Sequence, residues 1–350
     1  MIRELQLKDF KGHRDTSLTL GRFTVLVGDN ASGKTSVLEA LELVGRLGPD
    51  PRSAFQGPYA AGDLLRRGSP GPLTLIAEGE PRVGNVERVA VTVDLRPNVP
   101  WSVMLNDGTA RGQPVHWQSA KDLIGSVALY HLRAEAIAAV AYSGVYQVDV
   151  GRDGTNVAEV LAEMKLERDE QFAQVEATLK TLIPSVERVR IESPLIHYPP
   201  DSNDVVKGRK VYFDFQGGVT NVPAHHASQG TLIVLALLTI LCGTRRPDLV
   251  LLDDLDQALH PRAQMGLVEL IKKLLASEQF ADVQIVATTH SPYVLDMLDP
   301  ADVYAFATRP DGTVAAKRLS EHPEAAKVNG TLGAGQLWSL DPEREWVLGP

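Results

Sequence analysis

The apolar positions of this chain change period along its length, and the changes mark out its elements. Over residues 2–10, Ile2, Leu5, Leu7 and Phe10 are spaced by Arg3, Glu4, Gln6, Lys8 and Asp9, which predicts a half-solvated strand. Gly12 marks a turn, Leu18 and Leu20 a second strand, and Gly21 a break before Phe23–Val27. That third run is apolar throughout, as a strand buried on both faces requires. Two outer strands feeding an inner one are expected. A helical period follows in Val37, Leu38, Leu41 and Val44.

Residues 48–72 are rich in Gly and Pro and read as a loop with a short helical piece at Ala61–Arg67. Strands at 73–77 and 86–95, the alternation of Trp101, Val103 and Leu105, and the turn Asn106-Asp107-Gly108 predict an antiparallel meander over 73–118. Apolar residues at helical spacing then run over Lys121–Val140 and Val157–Leu182, closed by Pro184. Their heptads are not sustained, so no long coiled coil is expected. Val186, Val189 and Ile191 predict one strand, and Val211, Phe213 and Phe215 another. Pro194, Pro199 and Pro200 predict an exposed loop over 193–210, carrying Lys207, Arg209 and Lys210.

From Ser228 the pattern changes. Thr231–Cys242 suits a buried helix, Leu249–Leu252 a buried strand, Arg262–Ala276 an amphipathic helix and Val283–Ala287 another buried strand. A helix beginning over Pro292–Leu298 and a strand at Val303–Ala307 follow. Such alternation predicts an α/β core with a largely parallel sheet. Residues 321–350 have little pattern, and Trp338 and Trp346 are expected to pin them to the fold.

Composition narrows the function classes. The chain has 350 residues, of which 44% are hydrophobic and 23% charged, as in ordinary globular proteins with room for two lobes. Its formal net charge of -9 excludes a bulk polycation, so any DNA contact must come from a local patch. The small cluster at Lys207, Arg209 and Lys210 reads as solvated surface. One cysteine, Cys242, lies in an apolar run, which argues against a disulfide framework or a zinc site. Met1–Leu5 carries no apolar signal region, and the run Leu232–Cys242 is too short to span a bilayer. A cytoplasmic protein without a membrane partner is expected.

The chemistry gathers at the end of the third strand. Gly28-Asp29-Asn30-Ala31-Ser32-Gly33-Lys34-Thr35 is a Gly-x-x-x-x-Gly-Lys-Thr loop between a buried strand and a helix. Its backbone N–H groups suit the α- and β-phosphates, Lys34 the β- and γ-phosphates, and Thr35 a Mg²⁺ ion. With Ser36, these residues form the candidate ATP-binding segment. Ser228-Gln229-Gly230, at the start of the buried helix, offers a hydroxyl and free N–H groups to a second anion, which makes Ser228 and Gly230 candidates as well. Leu249–Leu252 ends in Asp253 and Asp254, which places two carboxylates at the C-terminal end of a buried strand. Asp253 is the candidate Mg²⁺ ligand, through water, and Asp254 the group that orients or deprotonates the attacking water. His290, directly after a buried strand, is a candidate contact to the γ-phosphate.

In this order the segments resemble the ABC-type ATPases of the RecF, SMC and Rad50 group, most of all the compact bacterial AAA15/AAA21 proteins and the ATPase part of OLD-family nucleases. Gly28–Thr35 matches the Walker A motif, Ser228–Gly230 the signature core, Leu249–Asp254 Walker B, Asp256–His260 the D-loop and His290 the switch histidine. The opening phrase Ile2–Gly12 resembles the family's first strand. Ala31 departs from a more usual glycine and Asp254 from a more usual glutamate. No Q-loop glutamine is assigned; Gln113 and Gln118 are the candidates, in a poor context.

The resemblance implies a P-loop NTPase head with an N-terminal antiparallel β subdomain and an inserted helical lobe. Its parts are 1–118, 119–183 and 184–350. It also implies a head-to-tail homodimer on ATP binding, with Ser228 of one copy facing the phosphate loop of the other. A slowly hydrolysing, nucleotide-gated switch is expected, with Asp254, His290 and Lys34 as its catalytic residues. The sequence shows neither the acidic clusters of a Toprim nuclease nor the His/Asn cluster of an HNH nuclease. A separately encoded nuclease or toxin, in DNA-related or anti-phage work, is the implied effector. The alternatives are an ATP-binding scaffold without significant turnover and a transporter ATPase subunit. Ala-Ser-Gln-Gly-Thr in place of Leu-Ser-Gly-Gly-Gln disfavours the transporter.

Overall fold

The structure is a computed structural model. It describes residues 1–47, 54–55, 60–69, 72–80, 89–96, 99–106, 125–142, 149–197, 203–243, 245–327, 332–340 and 345–349. The turn at 107–108 and both Gln113 and Gln118 lie outside these residues. The chain divides into two compact units. The first contains residues 1–129, 248–256 and 268–350, and the second 130–247 and 257–267.

In the first unit β1 (Ile2–Phe10) pairs antiparallel with β2 (His13–Thr19) and β4 (Leu73–Gly79). β5 (Val89–Arg96) and β6 (Val99–Asn106) extend this sheet in the order β2-β1-β4-β5-β6. β3 (Phe23–Gly28) belongs to a different sheet. It lies between β14 (Gln284–Thr289) and β15 (Val303–Thr308), parallel to both. β13 (Leu249–Leu252) continues the parallel set beside β14, and β16 (Val314–Arg318) runs antiparallel to β15. With β7 (Val127–Tyr130) at its far edge, the sheet runs β16-β15-β3-β14-β13-β7.

The expectation that β1 and β2 feed β3 within one sheet is therefore corrected. The alternating strand joins a sheet with a solvated face, and the continuously apolar strand joins one covered on both faces. Helix α1 (Lys34–Arg46) packs between the sheets, burying Val37, Leu38, Ala40, Leu41, Leu43 and Val44. Full burial of a Leu- or Val-sized side chain is worth roughly 1.5–3 kcal/mol, so this helix is held by packing on both sides. Gln284 ties the sheets together at one point. Its Nε2 donates to the carbonyls of Ile2 and Gly21, both at 2.8 Å, and its Oε1 accepts from Ile2 N at 3.2 Å.

The helix expected over Lys121–Val140 is not formed in its described part. Residues 127–130 are strand β7, and only Ala134–Ala138 is helical. The cause is a tertiary clasp. Asp248, at the foot of β13, accepts from Ser126 N at 2.7 Å and from Ser126 Oγ at 2.9 Å. Gly125, at φ 64°, lies against Asp248, where a Cβ would collide with its carboxylate. The clasp sets the chain beside β13, and pairing overrides the local helical spacing.

After the short helix α2 (Ala61–Leu64) in the first unit, the helices of the second are α3 (Ala134–Ala138), α4 (Val157–Glu167), α5 (Asp169–Leu182) and α6 (Gln229–Cys242). They accompany a sheet built on β11 (Val205–Phe215), which pairs with β8 (Ala141–Tyr142), β9 (Val186–Glu192), β10 (Leu195–His197) and β12 (Val219–Pro223). The exposed loop expected over 193–210 is corrected in its described part, residues 198–202 lying outside the described residues. β10 and the first half of β11 form a hairpin there, and Pro194 sits between β9 and β10 with its carbonyl accepting from Gly208 N at 2.9 Å. Strand alternation also splits the basic cluster, since Arg209 pairs with Glu159 at 3.4 Å while Lys210 points to the other face.

α6 is buried from Thr231 to Cys242. Later helices are α7 (Pro261–Ala276), α8 (Pro292–Leu295), α9 (Pro323–Lys327), α10 (Ala334–Leu340) and α11 (Glu345–Leu348). Among the described residues the longest helix is α7, with 16 residues, so none is long enough for an extended coiled coil. None is long and apolar enough to cross a membrane. Trp338 is buried, and Trp346 packs edge-on against His322 with ring centres 5.0 Å apart.

Candidate functional site

Strand β3 delivers the loop Gly28–Thr35 to the C-terminal edge of the parallel sheet, where β13 and β14 also end. Two loop positions need left-handed backbone, Ala31 at φ 61° and Gly33 at φ 96°. Glycine adopts this conformation freely, whereas alanine loses about 1 kcal/mol. Gly28 has no room for a side chain, since a Cβ would come within 2.7 Å of Ser32 Oγ and 2.5 Å of the Phe306 carbonyl. Asp29, Asn30, Ala31 and Thr35 are exposed, Gly33 and Ser36 half-buried, and Ser32 and Lys34 buried. Ser32 Oγ has no protein partner although it is buried. An oxygen-rich ligand in the loop would satisfy it.

The Lys34 ammonium donates to the carbonyls of Gly28 at 2.9 Å and Asp29 at 2.8 Å, across the mouth of the loop. Burial pushes its pKa down, and Asp254, Asp253, Asp29 and Asp256 work against that shift. Four carboxylates around one ammonium would repel a polyphosphate unless a divalent cation accompanied it. The residues present fit Mg²⁺. Thr35 Oγ1 donates to the Asp253 carboxylate at 3.1 and 3.2 Å, close to the ~3 Å between neighbouring oxygens of an octahedral shell of 2.0–2.1 Å bonds.

Asp253 and Asp254 are coupled through a residue that sequence reasoning missed. Thr288, fully buried at the end of β14, donates its hydroxyl to Asp253 Oδ1 at 2.7 Å. The same hydroxyl accepts from the backbone N–H of Asp254 at 2.8 Å. Asp254 adopts φ 54°, which an aspartate tolerates better than a longer side chain. Its Oδ1 lies 3.9 Å from His290 Nε2, with both side chains partly open to solvent. Asp256 braces the other side, accepting from Thr289 Oγ1 at 2.5 Å and from His290 N at 3.2 Å. A Thr-Thr-His run at the end of a buried strand was the available signal for Thr288 and Thr289.

The structure thus brings the phosphate loop, Thr35, Asp253, Asp254 and His290 together within the first unit. Ser228 and Gly230 belong to the second unit. Ser228 caps α6, its Oγ accepting from Thr231 N at 3.2 Å. Gly230 lies against Leu259 and the Ala258 carbonyl, which a Cβ would meet at 3.2 and 3.3 Å. Beside the phosphate loop is a cavity of about 440 Å³ lined by Lys11, Gly12, Asp63, Arg66, Asp311 and Thr313. It adjoins the loop through Val314, whose N–H donates to Gly12 O at 2.9 Å and whose side chain backs Gly33.

Two stretches of the chain match known families. Residues 1–50 match a family described as "AAA ATPase domain". Residues 166–296 match one described as "AAA domain, putative AbiEii toxin, Type IV TA system". Over these two stretches the chain is related to AAA15/AAA21 ATPase domains.

The DNA replication and repair protein RecF of Rhizobium etli is 36% identical to this chain over 87 residues, 25% of its length. An OLD nuclease of Thermus scotoductus is 44% identical over 54 residues. The chain spans only 22% and 10% of the length of these two relatives. In fold, the chain is similar to the SMC head domain of Thermotoga maritima, with a TM-score of 0.53 over 91% of this chain and 98% of that one at 15% identity. An SMC head bound to the C-winged helix domain of ScpA gives 0.56 over 93% and 99%, at 17% identity. The architecture is therefore a mixed α/β P-loop ATPase head with a β subdomain and a helical lobe.

Proposed function

We propose that the protein binds ATP with Mg²⁺ and hydrolyses it slowly, as a nucleotide-gated switch. The observation that carries this reading is the unbroken chain Thr35–Asp253–Thr288–Asp254 beside Lys34. It connects a metal-side hydroxyl and carboxylate to the backbone N–H of a second acidic residue, Asp254. Lys34 and the loop N–H groups would bind the β- and γ-phosphates, Thr35 and Asp253 would hold the metal ion, and the cavity beside Gly12 would take the nucleoside. Bound Mg²⁺ would neutralise charge developing on the transferred phosphoryl group. Asp254 would accept a proton from the attacking water, and His290 would donate to the γ-phosphate oxygens. Transfer depends on position, and an aspartate reaches one methylene less far than a glutamate. Turnover below the ~1–10³ s⁻¹ common among enzymes follows.

Ser228 and Gly230 support a head-to-tail dimer, because one ATP held by one chain leaves this second anion site unused. The names of the matched family and relatives, a toxin system, RecF and an OLD nuclease, support work on DNA or in anti-phage defence with a separate effector. Titration calorimetry with Mg²⁺ and ATP tests the core of the reading. Wild type should bind and Lys34→Ala should lose most of the affinity. Equal binding by the two proteins would refute it.

A further inference from the structure

We propose that His13 is a positioning residue of the phosphate loop, holding the Gly33 carbonyl so that the Lys34 backbone N–H faces a bound phosphate. The inference rests on the loop being an ATP site. His13 opens β2, just after the Gly12 turn, and is fully buried. Its Nε2 lies 3.1 Å from Gly33 O and its Nδ1 lies 3.0 Å from Thr16 Oγ1. A carbonyl oxygen only accepts, so Nε2 carries the proton. Nδ1 is then an acceptor, and the Thr16 hydroxyl donates to it. Thr16 therefore selects the tautomer that His13 needs.

The peptide between Gly33 and Lys34 is planar and trans, so the Gly33 C=O and the Lys34 N–H point in opposite directions. Anchoring the carbonyl behind the loop turns the N–H toward its mouth. The Gly33 carbonyl also accepts from Val37 N, but at a longer 3.3 Å. The His13 anchor matters because Gly33, at φ 96°, is the most permissive residue type at this hinge, and no side chain caps α1. The imidazole is itself fixed. It meets Phe306 edge-on with ring centres 6.3 Å apart, and Gly33 is backed by Val314 as well as by His13. Burial pushes the His13 pKa down to about 4, which keeps the ring in its neutral, single-donor form near neutrality.

Calorimetric titration of the full chain with Mg²⁺ and ATP tests this on wild type, His13→Gln, His13→Leu and Thr16→Val. The glutamine amide can still donate to Gly33 O, so His13→Gln should bind within about threefold of wild type. His13→Leu should bind about 10- to 100-fold more weakly, since a lost buried donor costs of the order of 1–3 kcal/mol. Thr16→Val should weaken binding about threefold or more by releasing the tautomer, and it carries the test if His13→Leu does not fold. Imidazole nitrogen shifts in wild type should report a proton on Nε2. If wild type binds ATP and His13→Leu or Thr16→Val binds equally well, His13 has no positioning role. A folded His13→Gln as weak as His13→Leu would likewise overturn it, since the amide donor would then not be what matters. If wild type binds no ATP, the reading of the loop as an ATP site fails, and this inference with it.

Discussion

The same histidine makes stability depend on pH in a way that can be calculated. An unfolded histidine titrates near 6.5, whereas in the folded chain burial holds His13 at about 4. Between these values the unfolded chain binds the proton and the folded chain does not. The contribution is therefore intact above about pH 6.5, falls as the pH drops towards 4 and is flat below that. The full difference is worth ~3 kcal/mol, and ~2 kcal/mol is lost by about pH 5. Carboxylates such as Asp9 and Asp153, lowered by their arginine partners against the opposing effect of burial, add a loss of their own at lower pH. Urea unfolding of wild type and His13→Gln at about pH 7.5 and about pH 5 separates the two effects, because the carboxylates are common to both proteins. Wild type should lose ~2 kcal/mol more than the variant over this interval. Equal losses would show that His13 titrates normally and that its burial in β2 is not as described.

Asp254→Asn should keep ATP and Mg²⁺ binding, tolerate φ 54° and abolish single-turnover hydrolysis; turnover at the wild-type rate would place the catalytic base elsewhere. Asp253→Asn should instead weaken the Mg²⁺ dependence of nucleotide binding, read as a rightward shift in a metal titration. Ser228→Arg should leave ATP binding intact but prevent nucleotide-dependent dimerisation, measured by light scattering with and without ATP. Gln284→Leu orphans two carbonyls and one N–H of the Ile2 and Gly21 backbone, and should cost about 3 kcal/mol or more in urea unfolding.

What the sequence determined by itself was everything governed by short range. The run into Gly28–Thr35, the buried strands at 249–252 and 283–287 and the buried helix after Ser228 carry their own period, caps and glycines. They were legible because burial on two faces leaves few polar positions in a strand or helix, and those few, such as Gln284, are hydrogen-bonded. The candidate site was legible for the same reason, since chemistry at a strand end follows the apolar run that delivers it.

Tertiary structure alone decided the rest. Residues 127–130 are a strand because Asp248 holds Ser126 from 122 positions away. Residues 205–210 are a strand because β11 has neighbours to pair with, whatever the prolines before it suggest. Thr288 couples the Asp253 carboxylate to the Asp254 backbone, and His13 braces a loop 20 residues on, through contacts that no periodicity encodes. A side chain's partner across a sheet depends on strand order and register, and neither is fixed until the whole sheet forms.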